Sequence, residues 1–448
     1  MGRRGSSQPL AIWANGELVG RWTPATRRPM ELRYEDSWLA SRSARPLSLS
    51  LPLPLVGNEP IRGDRVEHFF DNLLPDRGVI RKRLAQRYAA GSEDTFDLLA
   101  AIGRDCVGAV QLLPLDEQPT GFNRIDGEVL DEEAVASLLR NTVTTGQFGH
   151  QGKEQDFRIS IAGAQEKTAL LRHGGKWLKP LGATPTTHIL KLPLGLVGNM
   201  QADMHTSVYN EWLCLKLMGA LGFEVANADI VTFADHPPVL AVERFDRRMH
   251  PSGTWLLRLP QEDFCQALGV TPAKKYEADG GPGIEQLAQV LNGSQNARAD
   301  LKSLLSSQVA FWLLAATDGH AKNFSIRLFA GGSYALTPMY DVLSAWPIIG
   351  NGKNQLAWRN AKLAMALSGK NRHYDLATIM RRHFNATAAK CGWGENAEDI
   401  ISELLARVEP AIEAVTRQLP PGFPQDVAVA IFEGVRKQVK RLEGQPST

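Results

Sequence analysis

Long apolar segments are missing from this chain of 448 residues, and no run approaches the ~18 apolar residues that a membrane-spanning helix needs. Asn15 and Glu17 interrupt the apolar stretch near the N-terminus, which argues against a secretory signal. We therefore expect a cytoplasmic protein with no membrane partner.

Cysteines are few and scattered. Cys106, Cys214, Cys265 and Cys391 form no CxxC pair and lie near no clustered histidines, so we expect reduced core thiols rather than zinc ligands or disulfides.

Net charge is almost absent, because the chain has 50 Lys plus Arg and 48 Asp plus Glu, and this balance does not by itself indicate nucleic-acid binding. With 43% hydrophobic residues the chain can bury a large core, and its length predicts two or three lobes.

The most informative residues lie in 317–341. Asp318 and Asn323 are five apart, and Asp341 follows eighteen residues later. Phosphoryl transfer needs a carboxylate that accepts the proton of the acceptor hydroxyl, which fits Asp318. It also needs oxygen ligands for Mg²⁺, which fit Asn323 and Asp341, and residues 324–338 predict a hairpin that brings both ligands to one ion. This order of parts is typical of protein-kinase-type phosphotransferases.

Asp, Gly, His and Asn are also ordinary loop residues, so the motif alone recurs by chance. Its context favours function. Residues 301–316 place apolar side chains at helical spacing and predict a largely buried helix that leads into the loop. A buried helix, a polar loop, a hairpin and an aspartate in this order are much more specific than the motif alone.

Residues 157–192 predict adjacent strands, as in a kinase N-lobe sheet. Lys191 has apolar neighbours in the last strand, as expected of a lysine that contacts α- and β-phosphates, although an isolated strand lysine more commonly faces solvent. Glu211 is predicted to begin the next helix, where a kinase carries the carboxylate that orients this lysine. A first-turn glutamate would also suit the helix dipole.

The predicted hinge follows the strand that begins at Val239. Backbone groups at Glu243 and Phe245 are expected to meet the adenine edge, with an ordinary strand end as an equal alternative. The glycine-rich segment 276–283 predicts a loop whose role the sequence does not indicate.

Three segments are predicted along the chain. Residues 1–120 form an N-terminal subdomain that opens with a hairpin at Asn15–Gly16 and contains a helix starting with a capping box at Asp64. Residues 121–250 form the N-lobe sheet with its phosphate loop and hinge. Residues 251–448 form a mostly helical C-lobe with the catalytic loop and metal site.

Four segments resemble, in order, the HipA family of bacterial toxin kinases: 38–52, 69–76, 156–167 and 317–323. The resemblance implies an α+β, bilobal protein-kinase-like fold with an extra N-terminal mixed α/β subdomain and a mostly helical C-lobe related to lipid kinases. It implies an ATP- and Mg²⁺-dependent serine/threonine kinase that is a toxin neutralised by a small DNA-binding antitoxin, HipB, which represses their shared operon. Family members phosphorylate glutamyl-tRNA synthetase, so uncharged tRNA accumulates, growth stops and cells persist through antibiotics.

Carried onto this sequence, the family's proton acceptor falls on Asp318, its metal ligands on Asn323 and Asp341, and its phosphate contact on Lys191. The predicted phosphate loop and further nucleotide contacts are Ile161, Ala162, Gly163, Ala164, Gln165, Glu166, Lys167 and His320. This loop has one glycine where the G-x-G-x-x-G loop of eukaryotic kinases has three, so we expect it to be more easily displaced.

The family's autophosphorylated serine falls on Ser160, which is predicted to lie in a strand directly before the phosphate loop. From the residues alone, a satisfied strand hydroxyl is the commoner explanation for such a serine. The resemblance favours a modification that switches the enzyme off.

A second function class is a catalytically idle relative that serves as a corepressor or scaffold for a DNA-binding antitoxin. Intact Asp318, Asn323, Asp341 and Lys191 argue against it. We expect operator DNA to be bound mainly through the antitoxin, because this chain shows no convincing helix-turn-helix and no concentrated basic charge.

Overall fold

A computed structural model of the protein describes residues 8–24, 29–76, 78–143, 160–163, 165–198 and 200–446. The strands are β1 Leu10–Ala14, β2 Glu17–Thr23, β3 Glu31–Tyr34, β4 Ile61–Arg62, β5 Gln111–Pro114, β6 Gly127–Leu130, β7 Lys167–His173, β8 Lys176–Pro180, β9 His188–Lys191, β10 Leu196–Val197, β11 Ala202–Asp203, β12 Ala228–Val231, β13 Val239–Glu243, β14 Arg247–Met249, β15 Leu256–Arg258, β16 Gln261–Asp263, β17 Ser325–Leu328, β18 Tyr334–Leu336, β19 Lys362–Leu367 and β20 His373–Asp375. The α-helices are α1 Asp36–Leu39, α2 Asp64–Asp71, α3 Val79–Arg87, α4 Thr95–Ile102, α5 Glu132–Thr142, α6 Ser207–Ala220, α7 Phe264–Ala267, α8 Ile284–Leu291, α9 Ala297–Leu314, α10 Arg381–Lys390, α11 Glu398–Thr416 and α12 Gln425–Glu443.

An N-terminal subdomain contains the first sheet, with strand order β4-β3-β2-β1-β5. Asn15 and Gly16 both have positive φ and join β1 to β2, as the predicted two-residue hairpin requires. Helix α2 packs its apolar face into this subdomain, where the Trp22 and Phe70 rings stack with centroids 3.8 Å apart. The capping-box prediction is wrong, because Gly63 is the N-cap and Asp64 is already helical.

The N-lobe is built on an antiparallel six-stranded sheet with the order β12-β13-β9-β7-β8-β6. Alternating side chains bury Leu170, Leu190 and Ala241 in one apolar cluster beneath helix α5. Strands β7 and β9 pair Lys167 with Lys191, so both lysines emerge at the same place on the sheet.

The C-lobe contains the largest apolar core of the described residues, and its centre is helix α9. The predicted buried stripe of this helix is confirmed, since Leu304, Val309 and Trp312 are fully enclosed. The predicted hairpin after the catalytic loop is also confirmed, as β17 pairs with β18. All four cysteines are unpaired and buried. None of the described helices is both long enough and apolar enough to cross a membrane.

Candidate active site

A single cleft receives side chains from all three parts of the chain. The N-lobe contributes the phosphate-loop residues, Lys191 and Glu211, while the C-lobe contributes Asp318, Asn323 and Asp341. The N-terminal subdomain adds a wall of Asn72, Leu73 and Val107. Residues far apart in sequence that were predicted to act together therefore share one cleft.

Helix α9 delivers the catalytic loop. The helix ends at Leu314, and the left-handed conformation of its C-cap Ala315 turns the chain toward Asp318. The backbone oxygen of Asp318 accepts hydrogen bonds from the Asn323 side-chain amide at 2.7 Å and from the His320 backbone amide at 2.8 Å. The Asp318 side chain is 54% exposed, as a base that meets a protein acceptor must be.

Asn323 and Asp341 lie in this cleft as the two predicted Mg²⁺ ligands. Asn323 donates its amide nitrogen to Asp318, which leaves its amide oxygen as a ligand atom. Asp341 has φ of 59°, an uncommon conformation for a non-glycine residue and one often found at functional sites. Among the described residues no three His, Cys, Asp or Glu side chains form a metal-binding group. One carboxylate and one amide fit an ion that takes its remaining ligands from water and substrate phosphates, as Mg²⁺ does.

Lys191 forms two ion pairs, a buried one with Glu211 in the N-lobe and a partly buried one with Asp341 in the C-lobe. Its ammonium lies 2.6 Å from Glu211 Oε1 and 2.7 Å from Asp341 Oδ1. Burial alone would raise the pKa of Asp341, but Lys191 and Lys167 hold that pKa below its usual range. Burial would lower the pKa of Lys191, but Asp341 and Glu211 raise it. The site therefore holds a charged lysine and a charged Asp341 at neutral pH.

Glu211 differs from its predicted position in one respect. Helix α6 begins at Ser207, so Glu211 lies in the second turn rather than at the helix start. Its side chain is buried and bonded to Lys191, which excludes the exposed first-turn role at the helix dipole. The pair that a kinase uses to orient its phosphate-binding lysine is thus formed.

The predicted phosphate loop lies against the N-terminal subdomain. Gly163 has φ of 108° and forms a bridge with Pro75, and its carbonyl accepts the Asp76 amide at 3.2 Å. Ile161, Ala162, Gly163, Gln165 and Lys167 line the cleft, whereas Ala164 lies outside the described residues.

Lys167 and Glu166 follow in the same loop. Burial and the neighbouring Lys191 lower the pKa of Lys167 to about 8, so an anionic phosphate would favour its charged form. The Glu166 carboxylate instead binds Arg83 at 2.6 Å and does not line the cleft, so its predicted nucleotide contact is not supported by its position.

Ser160 is fully buried, and it is not in a strand as predicted. Residues 157–159 of the predicted strand lie outside the described residues. The Ser160 hydroxyl donates to the Leu73 carbonyl at 2.8 Å, and its amide donates to the Asp105 carbonyl at 3.1 Å. Both partners belong to the N-terminal subdomain, so Ser160 fastens the start of the phosphate loop to it.

Each of the two predicted adenine contacts already uses one backbone group, and at Phe245 the carbonyl accepts from Arg327 at 3.2 Å. The Glu243 backbone N–H already donates a hydrogen bond to the Asn227 carbonyl at 2.8 Å, so it is not available to bind adenine in this structure. Glu243 and Phe245 both line the cleft.

His320 lines the cleft as well, and its Nδ1 atom has no hydrogen-bond partner among the described residues. Because burial lowers the pKa of His320, the imidazole is neutral and one ring nitrogen can accept a hydrogen bond.

Sequence reasoning missed a buried ion cluster behind the hinge, here called the hinge cluster. It consists of Asp105, Asp246, Arg244, Arg247 and Arg258. Arg244 and Arg247 also donate to backbone carbonyls of the N-terminal subdomain at Cys106 and Gly108. Three guanidinium groups and two carboxylates thus fasten the subdomain to the segment that the nucleotide base is expected to meet.

A second missed contact supports the catalytic loop directly. Lys322, within that loop, is buried and donates to Asn72 Oδ1 at 2.8 Å and to Asp263 Oδ2 at 2.6 Å. Asn72 follows helix α2, so the N-terminal subdomain holds the loop that carries the candidate base. The sequence predicted a helix and a family match around Asn72, but no contact with the loop.

The bilobal fold and this cleft define the class of protein as a protein kinase. The chain belongs to the HipA family, because the model of the HipA-like C-terminal domain matches residues 159–412 and that of the HipA N-terminal domain matches residues 10–113. The expected family and the bilobal, kinase-like fold class are both confirmed.

Individual relatives agree with this assignment. The protein Y4mE of Sinorhizobium fredii is 33% identical over 75% of this chain and 77% of its own length. The serine/threonine-protein kinase toxin HipA of Shewanella oneidensis is 28% identical over 89% of this chain and 86% of its own. A solved structure of HipA from Shewanella oneidensis, in complex with HipB and operator DNA, superposes with a TM-score of 0.77 at 25% identity and covers 97% of this chain and 98% of that one.

Proposed function

We propose that this chain is an ATP- and Mg²⁺-dependent serine/threonine protein kinase that acts as the growth-arresting toxin of a toxin–antitoxin pair. Its protein substrate is glutamyl-tRNA synthetase, and autophosphorylation at Ser160 inactivates it. The proposed boundaries of its parts are 1–120, 121–250 and 251–448.

One observation carries the proposal: Lys191 bridges Glu211 and Asp341 in the cleft that also holds Asp318 and Asn323. A structural ion pair alone would not need a second carboxylate with φ of 59°, nor an amide at the end of a catalytic loop. The arrangement provides a cation for phosphates, two oxygen ligands for a metal and an accessible base.

The chemistry follows from these positions. Lys191 and Lys167 would bind phosphate oxygens of ATP, and Asn323 and Asp341 would hold Mg²⁺. The bound metal would supply neutralisation of the phosphate charge. Asp318 would accept the proton of the serine or threonine hydroxyl while the hydroxyl oxygen forms a bond to the γ-phosphorus of ATP. The bond from that phosphorus to the bridging oxygen breaks, and ADP leaves with the electron pair.

The surroundings of Ser160 support an off-switch. A phosphoserine has no hydroxyl proton to donate to Leu73, and it adds about −1.5 to −2 charges at neutral pH. Those charges would face a carbonyl oxygen in a fully buried site, so the modified segment must leave its place. The phosphate loop would leave with it, and nucleotide binding would be lost.

The partner is proposed to be a small HipB-like antitoxin that carries the operator-binding surface. The likeness to HipA in a complex with HipB and operator DNA supports this partner. The near-neutral charge of the chain gives it little affinity of its own for DNA. An idle scaffold would need none of the bonds that Lys191, Glu211 and Asp341 make.

Brief induction of the chain in cells, followed by quantitative phosphoproteomics, tests the proposal. Asp318→Asn is the matched control, since it keeps the size of the side chain and removes its charge. We expect growth arrest and new phosphate on glutamyl-tRNA synthetase with the wild type alone, and relief by the antitoxin. Equal arrest by Asp318→Asn would reject the kinase mechanism. Phosphate on a different protein would reject only the substrate.

A further inference from the structure

The glycine-rich loop 276–283 has no role in the site as described, yet it places a tyrosine hydroxyl on the candidate base. The Tyr276 hydroxyl donates a hydrogen bond to Asp318 Oδ1 at 2.5 Å. Burial of the phenol and the neighbouring Asp318 carboxylate raise the pKa of Tyr276 well above its usual range. The hydroxyl therefore keeps its proton and remains the donor.

The loop holds Tyr276 in place from its own backbone. The Tyr276 carbonyl accepts the Gly281 amide at 3.0 Å, and Gly281 packs so closely that a Cβ would overlap the Lys274 carbonyl oxygen. Glu277 is buried, and its Oε2 accepts the Ala366 amide of β19 at 2.6 Å. These contacts fix the tyrosine to the C-lobe.

The side chain of Tyr276 is held on two sides. Its ring stands edge-on to the His320 ring, with centroids 4.9 Å apart and planes at 81°. The Lys275 ammonium lies 5.4 Å from the centroid of the Tyr276 ring and binds Asp76 Oδ2 of the N-terminal subdomain at 2.7 Å. The hydroxyl thus meets Asp318 from a platform that both the C-lobe and the N-terminal subdomain support.

Asp318 needs such a partner. Asn323 and His320 donate hydrogen bonds only to its backbone oxygen, the His320 Nε2 atom is 3.9 Å from Oδ1 and beyond hydrogen-bond distance, and the side chain is about half exposed. A carboxylate has two acceptor oxygens, and Tyr276 occupies Oδ1 only. We propose that Tyr276 is the positioning residue of Asp318, holding Oδ1 so that Oδ2 faces the acceptor hydroxyl. This inference rests on the proposed kinase function.

Tyr276→Phe tests it, since the variant loses one oxygen and keeps the ring against His320. Tyr334→Phe is the matched control, because that hydroxyl binds the Val290 carbonyl and Tyr334 does not line the cleft. Transfer from γ-labelled ATP to glutamyl-tRNA synthetase is measured. We expect kcat of Tyr276→Phe to fall about tenfold or more, with KM unchanged for ATP and acceptor. The control should match the wild type.

An unchanged kcat would overturn the inference. So would a higher kcat or a lower acceptor KM, because the hydroxyl would then be blocking the acceptor rather than orienting the base. If the wild type transfers no phosphate to glutamyl-tRNA synthetase, the proposed substrate is rejected, and crystal structures of both proteins still decide the positioning role. A single Asp318 conformer in the wild type and several in Tyr276→Phe support it, whereas one unchanged conformer in both refutes it.

Discussion

Replacing Asp105 with Asn tests the hinge cluster at its centre. Asp105 Oδ1 accepts from Arg247 at 3.0 Å and from Arg258 at 3.1 Å, while Oδ2 accepts the Thr186 amide at 3.0 Å. In the Asn variant the amide nitrogen must face either guanidinium donors or the Thr186 N–H. The substitution therefore removes a charge and places the new amide N–H opposite another N–H donor, with no acceptor for either, in a buried position.

The magnitude follows from the charges. Three guanidinium groups face two carboxylates in the wild type, and they would face only Asp246 in the variant. Removing one partner of a buried ion pair costs about 3–5 kcal/mol. We expect the free energy of unfolding of Asp105→Asn to fall by this amount in urea titrations, with an unchanged m-value. Asp126→Asn, which loses one exposed contact with Arg124, should cost less than about 1 kcal/mol.

The pH dependence gives an independent check. Burial alone would raise the pKa of Asp105, but Arg247, Arg244 and Arg258 hold it well below its usual range. A lowered folded-state pKa stabilises the protein above the unfolded value of about 3.9, and this contribution is lost as the pH falls below it. The stability gap between wild type and variant should therefore be full at neutral pH and shrink below about pH 4. A loss under about 1 kcal/mol at pH 7, or a gap independent of pH, would refute this account.

Four further predictions concern the proposed activity. Asp318→Ala should fold normally, since its side chain is half exposed, and phosphate transfer should fall by at least about 10²-fold in a labelling assay; near wild-type labelling would remove its role as base. Asp341→Ala should lose the Mg²⁺-dependent part of ATP binding in calorimetry, because it removes the charged ligand, and an undiminished Mg²⁺ effect would contradict the metal site. Mass spectrometry after incubation with Mg·ATP should find phosphate on Ser160 at a rate that rises with protein concentration, and the modified chain should bind ATP weakly; ATP binding like that of the unmodified chain would exclude the switch. The chain alone should bind labelled operator DNA weakly and without sequence preference, and tight specific binding would show that it has its own DNA-reading surface.

The elements that carry Asp318, Asn323 and Asp341 could be predicted because they follow one another along the chain. Helix α9, the loop from Asp318 to Asn323 and the β17–β18 hairpin are local structures, and local spacing fixes their order. Lys191 could be placed in its strand from its apolar neighbours. The role of Glu211 could not be decided, because helix periodicity does not indicate whether a glutamate finds a cation 20 residues away.

The parts that sequence did not reveal are long-range polar contacts. Lys322 and Asn72 are 250 residues apart, and Arg247 and Asp105 are 142 apart. Hydrophobic periodicity does not indicate which buried charged side chains will pair, because the pairing depends on how whole lobes pack together. The contact of Tyr276 with Asp318 could not be predicted for a related reason. The glycines beside Tyr276 indicate a loop, but only the folded chain shows that the loop places this hydroxyl against Asp318.

The bond between Lys322 and Asn72 joins a part of the chain that is made early to a part that is made late. Residues 10–113 emerge from the ribosome before the two lobes and contain an apolar cluster of their own, so they can pack early. The cleft is complete only when this early part and Asp341 are both present. Once Asp341 has been made, residues 342–448 take about 5–20 s to synthesise. A ribosome that stops before residue 341 releases a chain that lacks Asp341, the predicted charged metal ligand. For a toxin of the proposed kind, products truncated before this residue would be inactive.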